Sequence, residues 1–230
     1  MSIHFFPSCK VQQQFPQASL RLQDYLQKRW QLKPAGCCRV NHQQLASEDA
    51  AFYICNTCGH ILTDSSAAKK VQAIWHLIDQ DEQFPFPDYQ GELMTVQDCW
   101  LASDKTEVQQ AVRSLLYKMN IQPLELTDNF AQSRFCGVTT SAATYQLAPT
   151  LSDKAGQMSP EERQNHLRQI NTDKVAIAAR AIRRLTQPAN MACICWSCYF
   201  QNSSDSLCKL RSLNSLQPLK QSQQMRNHKT

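Results

Sequence analysis

Eleven cysteines in 230 residues, and the spacing of most of them, are where chemistry would reside in this chain. Cys9, the vicinal pair Cys37-Cys38 and the segment Ile54-Cys55-Asn56-Thr57-Cys58 put five thiols in the first sixty residues. The segment returns as Ile194-Cys195-Trp196-Ser197-Cys198, and Cys38-Arg39-Val40 returns as Cys136-Gly137-Val138 with Phe135 in the slot of the first cysteine. With Cys99 as the counterpart of Cys9, the order Cys, Cys-Cys (or Phe-Cys), Cys-x-x-Cys occurs twice, which reads as a duplicated thiolate site. A Cys-x-x-Cys turn offers two sulfurs at once, and distant cysteines close the cage that an iron–sulfur cluster takes from four thiolates. Adjacent side chains diverge in an extended backbone, so a vicinal pair suits a thiolate that must reach a second iron. Zinc takes four ligands, often as two close pairs, which five thiols with one Cys-x-x-Cys fit less well. A reactive dithiol on a structural scaffold is the other reading.

The rest of the composition narrows the setting. Apolar residues make up 42%, and 230 residues suffice for a buried core in one domain or two small ones. The formal charge is +5, of which Lys209, Arg211, Lys220, Arg226 and Lys229 against Asp205 supply +4 in residues 201–230. Without a basic stripe and interleaved aromatics elsewhere, nucleic acid is not an expected partner. No run of about 18 apolar residues occurs, so no membrane span is expected. Met1-Ser2-Ile3-His4-Phe5-Phe6-Pro7 lacks the features of a signal peptide, so a cytoplasmic location is expected, where thiols stay reduced and serve metal or redox chemistry. Five glycines and no Gly-rich phosphate loop argue against a nucleotide or flavin site of its own, so electrons must come from another protein.

The elements that must hold these cysteines follow from periodicity. Ile3 to Phe6, Ala50 to Cys55, Leu93 to Val96, Leu124 to Leu126 and Met191 to Cys195 read as strands, most of them leading to thiols. Residues 15–30, 66–80, Val108 to Met119 and a stretch from Ser159 to about Leu185 read as helices, the last opened by Ser159-Pro160-Glu161-Glu162. Alternation predicts an α/β fold of two similar Rossmann-like halves related by a pseudo-two-fold axis, with cysteine-bearing loops at the strand ends. The expected division is 1–83 and 92–200 as cysteine-rich repeats, 84–91 as a proline-bearing linker and 201–230 as a basic, mobile tail.

The pattern resembles the duplicated cysteine-rich CCG domain of the heterodisulfide reductase B subunit, which also occurs in iron–sulfur subunits of glycolate and lactate oxidation enzymes. Gln97-Asp98-Cys99-Trp100 and Arg134-Phe135-Cys136-Gly137 carry the second repeat, and the similarity of organisation covers about residues 3–200. The resemblance implies a noncubane 4Fe–4S cluster held by Cys9, Cys37, Cys38, Cys55 and Cys58, with Cys38 and Cys37 at the catalytic centre. Electrons would pass between a flavin- or ferredoxin-type protein subunit and a small thiol, disulfide or organic substrate. Arg39 departs from the family's glycine, and 16 residues between Cys38 and Cys55 are fewer than its pattern. Phe135 leaves the second set as Cys99, Cys136, Cys195 and Cys198, enough for a cubane cluster or zinc, or a structural copy without either.

Around these sets, Cys193 and Cys208 read as thiols outside either one. His42 and His60 read as loop-capping groups or as donors to the site. Arg39 would raise a cluster's potential or form a surface ion pair. Asp98 reads as a hydrogen-bonding loop residue, and Trp75, Trp100 and Trp196 as packing groups. Arg180, Arg183 and Arg184 read as a solvated helix face or a docking patch for an acidic redox partner. The reading from a different class is a non-catalytic zinc or iron–sulfur protein serving as sensor, scaffold or assembly factor.

Overall fold

The computed structural model describes residues 1–136, 141–184 and 190–193. In chain order these form β1 (Ile3–Phe6), α1 (Cys9–Gln14), α2 (Pro16–Trp30), β2 (Lys33–Pro34), α3 (Cys38–Asn41), β3 (Ala50–Tyr53), α4 (Asn56–Ser65), β4 (Lys70–Ala73) and α5 (Trp75–Asp79). There follow β5 (Glu92–Gln97), α6 (Thr106–Lys118), β6 (Ile121–Glu125), α7 (Ala142–Leu147), α8 (Pro149–Gly156), α9 (Pro160–Arg184) and β7 (Asn190–Cys193). The fold is α/β. One sheet has the order β2-β1-β3-β4 and the other β6-β5-β7, and every strand pair in both is parallel. Parallel neighbours cannot be joined by a hairpin, so helices or long connections return the chain to the starting edge each time.

Local sequence sets several element ends. Pro16 opens α2, and Gln31 closes it in the left-handed region (φ 57°) with its N–H donating to Gln27 O. At α9, Ser159 and Glu162 form a capping box: Glu162 N–H donates to Ser159 Oγ at 3.2 Å, and Ser159 N–H to Glu162 Oε2 at 2.7 Å. Central β3 is buried along its whole length, as a parallel strand covered on both faces must be. Among the described residues, no helix is long and apolar enough to cross a membrane.

Two of the expected elements move. The helix expected over 66–80 is instead β4 followed by α5, while the preceding helix lies at Asn56–Ser65. Val71, Ile74, Trp75 and Ile78 do have helical spacing, but the open edge of β3 captures Lys70–Ala73 in register, Ala51 opposite Val71 and Tyr53 opposite Ala73. Ladder pairing here outweighs the local period. Short β2, α1, α3, α7 and α8 also lie below what periodicity resolves. Residues 84–91 carry no helix or strand, yet they are packed: Phe84 meets Tyr25 edge-on at 5.0 Å and Phe86 at 4.9 Å.

The core links the two sheets. Phe6, Tyr53, Ile61 and Leu62 share one buried cluster with Trp100, Leu101, Val108 and Leu151. Trp75 packs against that cluster and against the two others, one under β1 and α2, one under β5 and α6. Lys105 Nζ donates to Tyr53 OH at 3.2 Å across the same junction.

Two stability predictions follow from packing and from charge. A Cβ on Gly59 would lie 2.6 Å from Tyr53 Cζ, so Gly59→Ala should cost about 1–3 kcal/mol in urea unfolding, whereas Gly156→Ala, with open space around it, should cost nothing. Equal stability of the two variants would contradict that close approach. The second concerns Tyr25, which donates to Asp81 Oδ2 at 2.5 Å and joins α2 to the turn after α5. Burial, then the Asp81 carboxylate, push Tyr25 up to about 12. A raised folded pKa stabilises fully below the unfolded value of about 10 and is lost as pH rises through the folded one, so Tyr25→Phe should abolish a loss of stability between those pH values. Asp81 has the opposite sign: burial would raise it, but Tyr25, the Gln83 N–H and Arg29 outweigh burial and hold it low. Its contribution is present above about pH 4 and declines as pH falls, and Asp81→Asn should flatten that acid limb.

Candidate functional site

All strands of the first sheet point their carboxyl ends the same way, and the thiols follow from those ends. Cys9 opens α1 after β1, Cys37 precedes α3 with Cys38 as its first residue, and Cys55 precedes α4 with Cys58 in its first turn. Cys37, Cys55 and Cys99 share one backbone setting, extended at φ −81°, −88° and −79° immediately before a helical turn. Gly36, at φ +72°, makes the turn that brings Cys37-Cys38 in. Ser8, 3% exposed, is held at φ 66°, a strained conformation for a residue with a Cβ, directly before Cys9.

The five N-terminal cysteines lie near one another as two bonded groups. Cys38 Sγ lies 3.1 Å from Cys58 Sγ, Cys58 also hydrogen-bonds Cys55, and Cys9 hydrogen-bonds Cys37. Exposure grades inward: Cys9, Arg39 and Val40 stand at the rim, Cys37 and Cys55 are half-buried, and Cys38 and Cys58 are 4% and 5% exposed. Their acidities diverge. The hydrogen bond with Cys58 holds Cys38 below the ordinary thiol value against the opposing effect of burial. Cys58 is pushed well above it by its bonds with Cys38 and Cys55 and by burial, so of the pair Cys58 keeps its proton. The Cys9 side chain reaches solvent, but partial burial of its sulfur and then the Cys37 bond raise it to about 11. Arg39 acts on both Cys9 and Cys38 in the direction that favours thiolate.

The donor set, five soft sulfurs, suits an iron–sulfur group or another thiophilic metal. Its spacing is that of thiols touching one another; among the described residues, no three His, Cys, Asp or Glu side chains are ranged around one point as ligands. No disulfide joins any two of the described cysteines.

In the second set Cys99 and Cys136 are 3% exposed and belong to the same buried cluster as Trp100 and Phe135, whose rings meet edge-on at 5.4 Å. Phe135 thus shares that buried cluster with Cys99 and Cys136. The register of β7 sets Cys193 opposite Gln97, two residues before Cys99. Cys195, Trp196, Cys198 and Cys208 lie outside the described residues, and so do the side chains of Arg180, Arg183, Arg184 and Cys193.

What anchors the Cys99 loop is a charge network. Arg113 of α6 donates to both oxygens of Asp98, at 2.6 and 2.8 Å, and to both of Glu125, at 2.9 and 2.6 Å. Asp98 Oδ2 also accepts Phe130 N–H, whose ring lies 4.2 Å below the guanidinium, and Asn129 bridges Asp98 N–H to Val96 O. Burial would lower Arg113, but Glu125 and Asp98 raise it, so it stays charged. Asp98 is therefore the hydrogen-bonding loop residue that its sequence position suggests.

His42 and His60 each bond a backbone carbonyl, and His60 a hydroxyl as well. His42 Nδ1 meets Cys38 O at 2.9 Å, and His60 bridges the halves, Nε2 to Leu101 O at 3.0 Å and Nδ1 to Thr150 Oγ1 at 3.2 Å. Burial holds His60 below its ordinary value against the pull of the Leu101 carbonyl.

Sequence reasoning missed Ser8, Gly59 and Arg113. The Gly directly after Cys-x-x-Cys was a readable signal; Arg113, on the inner side of a helix, was not. Set against protein-family models, curated proteins and solved structures, the chain has no match.

Asp98 is 2% exposed, so removing Arg113 strands a buried carboxylate. Arg113→Met should cost about 3–5 kcal/mol in urea unfolding, and Glu125→Gln, at a side chain 36% exposed, much less. Equal, small losses in both would disprove the anchoring role.

Proposed function

We propose that the chain is an iron–sulfur oxidoreductase component similar to the B subunit of heterodisulfide reductase. In this reading Cys9, Cys37, Cys38, Cys55 and Cys58 hold a 4Fe–4S cluster of the noncubane type. The observation that carries it is the convergence, from three segments across fifty residues, of all five thiols on the carboxyl edge of one parallel sheet. A cluster held there would supply one-electron steps to a thiol, disulfide or small organic substrate. The chain's own contribution is to shift Cys38 toward thiolate, to place Arg39 beside the thiols, and to admit substrate from the rim at Cys9, with Tyr53, Ile61 and Leu62 in the buried cluster behind.

The matching strand orders β2-β1-β3 and β6-β5-β7 support two similar halves related by a pseudo-two-fold axis. Cys99 and Cys136, with Cys195 and Cys198, would then form the second, four-thiolate site, holding a cubane cluster or zinc. Burial of Cys99 and Cys136 against Trp100 and Phe135 favours an electron relay or a structural role there over substrate chemistry. The partner would be a flavin- or ferredoxin-type protein, with the cytoplasm as its setting.

Cys38→Ser and Cys55→Ser should each remove most iron and sulfide of the N-terminal site from anaerobically purified protein. Cys38→Ser should stop turnover even with an artificial reductant, whereas Cys136→Ser should mainly slow electron delivery from the protein partner. A colourless wild-type protein carrying stoichiometric zinc would overturn this reading in favour of a sensor or scaffold.

A further inference from the structure

The pair at the centre of the thiol cluster has a chemistry of its own. Cys38 and Cys58 come from different elements, α3 and α4, yet their sulfurs are already in contact at 3.1 Å and are not joined. A disulfide needs about 2.05 Å, so roughly 1 Å of closure suffices. Both elements are held: His42 Nδ1 meets the Cys38 carbonyl at 2.9 Å, and Gly59 packs α4 directly on the Tyr53 ring. Both thiols are nearly inaccessible, at 4% and 5% exposure, which excludes bulky oxidants and leaves small ones.

We propose that Cys38 and Cys58 are a redox modification site, joined into a disulfide when the metal-free chain meets peroxide. The Cys38 thiolate attacks one peroxide oxygen; the O–O bond breaks, hydroxide leaves, and Cys38 becomes a sulfenic acid. The Cys58 sulfur then attacks Cys38 Sγ, the S–O bond breaks, and the oxygen leaves as water with the Cys58 proton. The Cys38 thiol's own proton neutralises the hydroxide, so two thiols and one peroxide give one disulfide and two waters. Sulfur loses two electrons and peroxide gains them. A small dithiol reverses the modification by exchange, becoming a cyclic disulfide and restoring both thiols. The functional consequence rests on the cluster reading above: closure withdraws two of five thiolates, so the oxidised chain cannot be loaded and the reduced chain can.

The full metal-free chain treated with peroxide at one equivalent, then digested and mapped by mass spectrometry, tests the linkage. The expected product is a dithiol-reversible cross-link that persists in Cys37→Ser and Cys55→Ser and disappears in Cys38→Ser and Cys58→Ser. Because a buried serine can disturb folding, the wild-type map is decisive by itself when the linked peptides are fragmented to assign the residues. A dominant Cys55–Cys58 or Cys9–Cys37 link, or Cys38 carried on to sulfinic acid with no link, would overturn the proposal. Iron and sulfide uptake then reads the consequence: at least tenfold less in the oxidised chain than in the same sample after dithiothreitol supports the gate, and equal uptake overturns it. If the cross-link forms but the reduced chain takes up no iron, the modification site stands and the cluster assignment falls.

Discussion

The common direction of the strands is the constraint on which the rest of the molecule depends. Because β1 pairs with β3 in parallel, Ile3 opposite Ala50 through Phe6 opposite Tyr53, their exits lie side by side. Cys9 stands three residues beyond Phe6 and Cys55 two beyond Tyr53, so both thiols emerge on one edge without any long-range recognition between them. An antiparallel β1–β3 pair would send them to opposite ends. The same rule puts Cys99, two residues beyond Gln97, at the exit of the second sheet beside the end of β7.

Bringing thiols together is unfavourable for thiolates that repel one another, and the fold meets this by dividing protons among them. Cys58, in the buried cluster with Tyr53 and Ile61, is held toward the thiol, while Cys38, the first residue of α3, is shifted toward thiolate by its bond with Cys58 and by Arg39. The second half uses fixed charge instead. Arg113, bonded to Asp98 and Glu125, ties α6, the Cys99 loop and the end of β6 into one buried network, and the left-handed Phe130 (φ 56°) is held by the same Asp98. Burial maintains the strain at Ser8 beside Cys9, and the bond to Asp98 maintains that at Phe130.

The two halves form a continuous body. Leu101 O accepts from His60, Asp64 accepts the N–H and hydroxyl of Thr150, and Ser65 Oγ donates to Leu147 O, all from α4 to the second half. The helix that carries Cys58 therefore also carries bonds to Leu101, Leu147 and Thr150.

Much of this was determined by the sequence alone: apolar runs ending in thiols marked β1, β3 and β5, a strong 3.6 period marked α2 and α6, and the Ser159–Glu162 pair marked the start of α9. These are local signals, and local backbone preference is enough to read them. Tertiary structure decided what lies between. The open edge of β3 turned Lys70–Ala73 from an apparent helix into a strand, since ladder hydrogen bonds outweigh a side-chain period. It also decided that Cys38 and Cys58 touch while Cys9 remains at the rim, because spacing along a chain limits which sulfurs can meet but contact depends on how α3 packs on α4. The ion pair of Arg113 with Asp98 was hidden for the same reason: partners fifteen residues apart are joined only by the way α6 lies on its sheet.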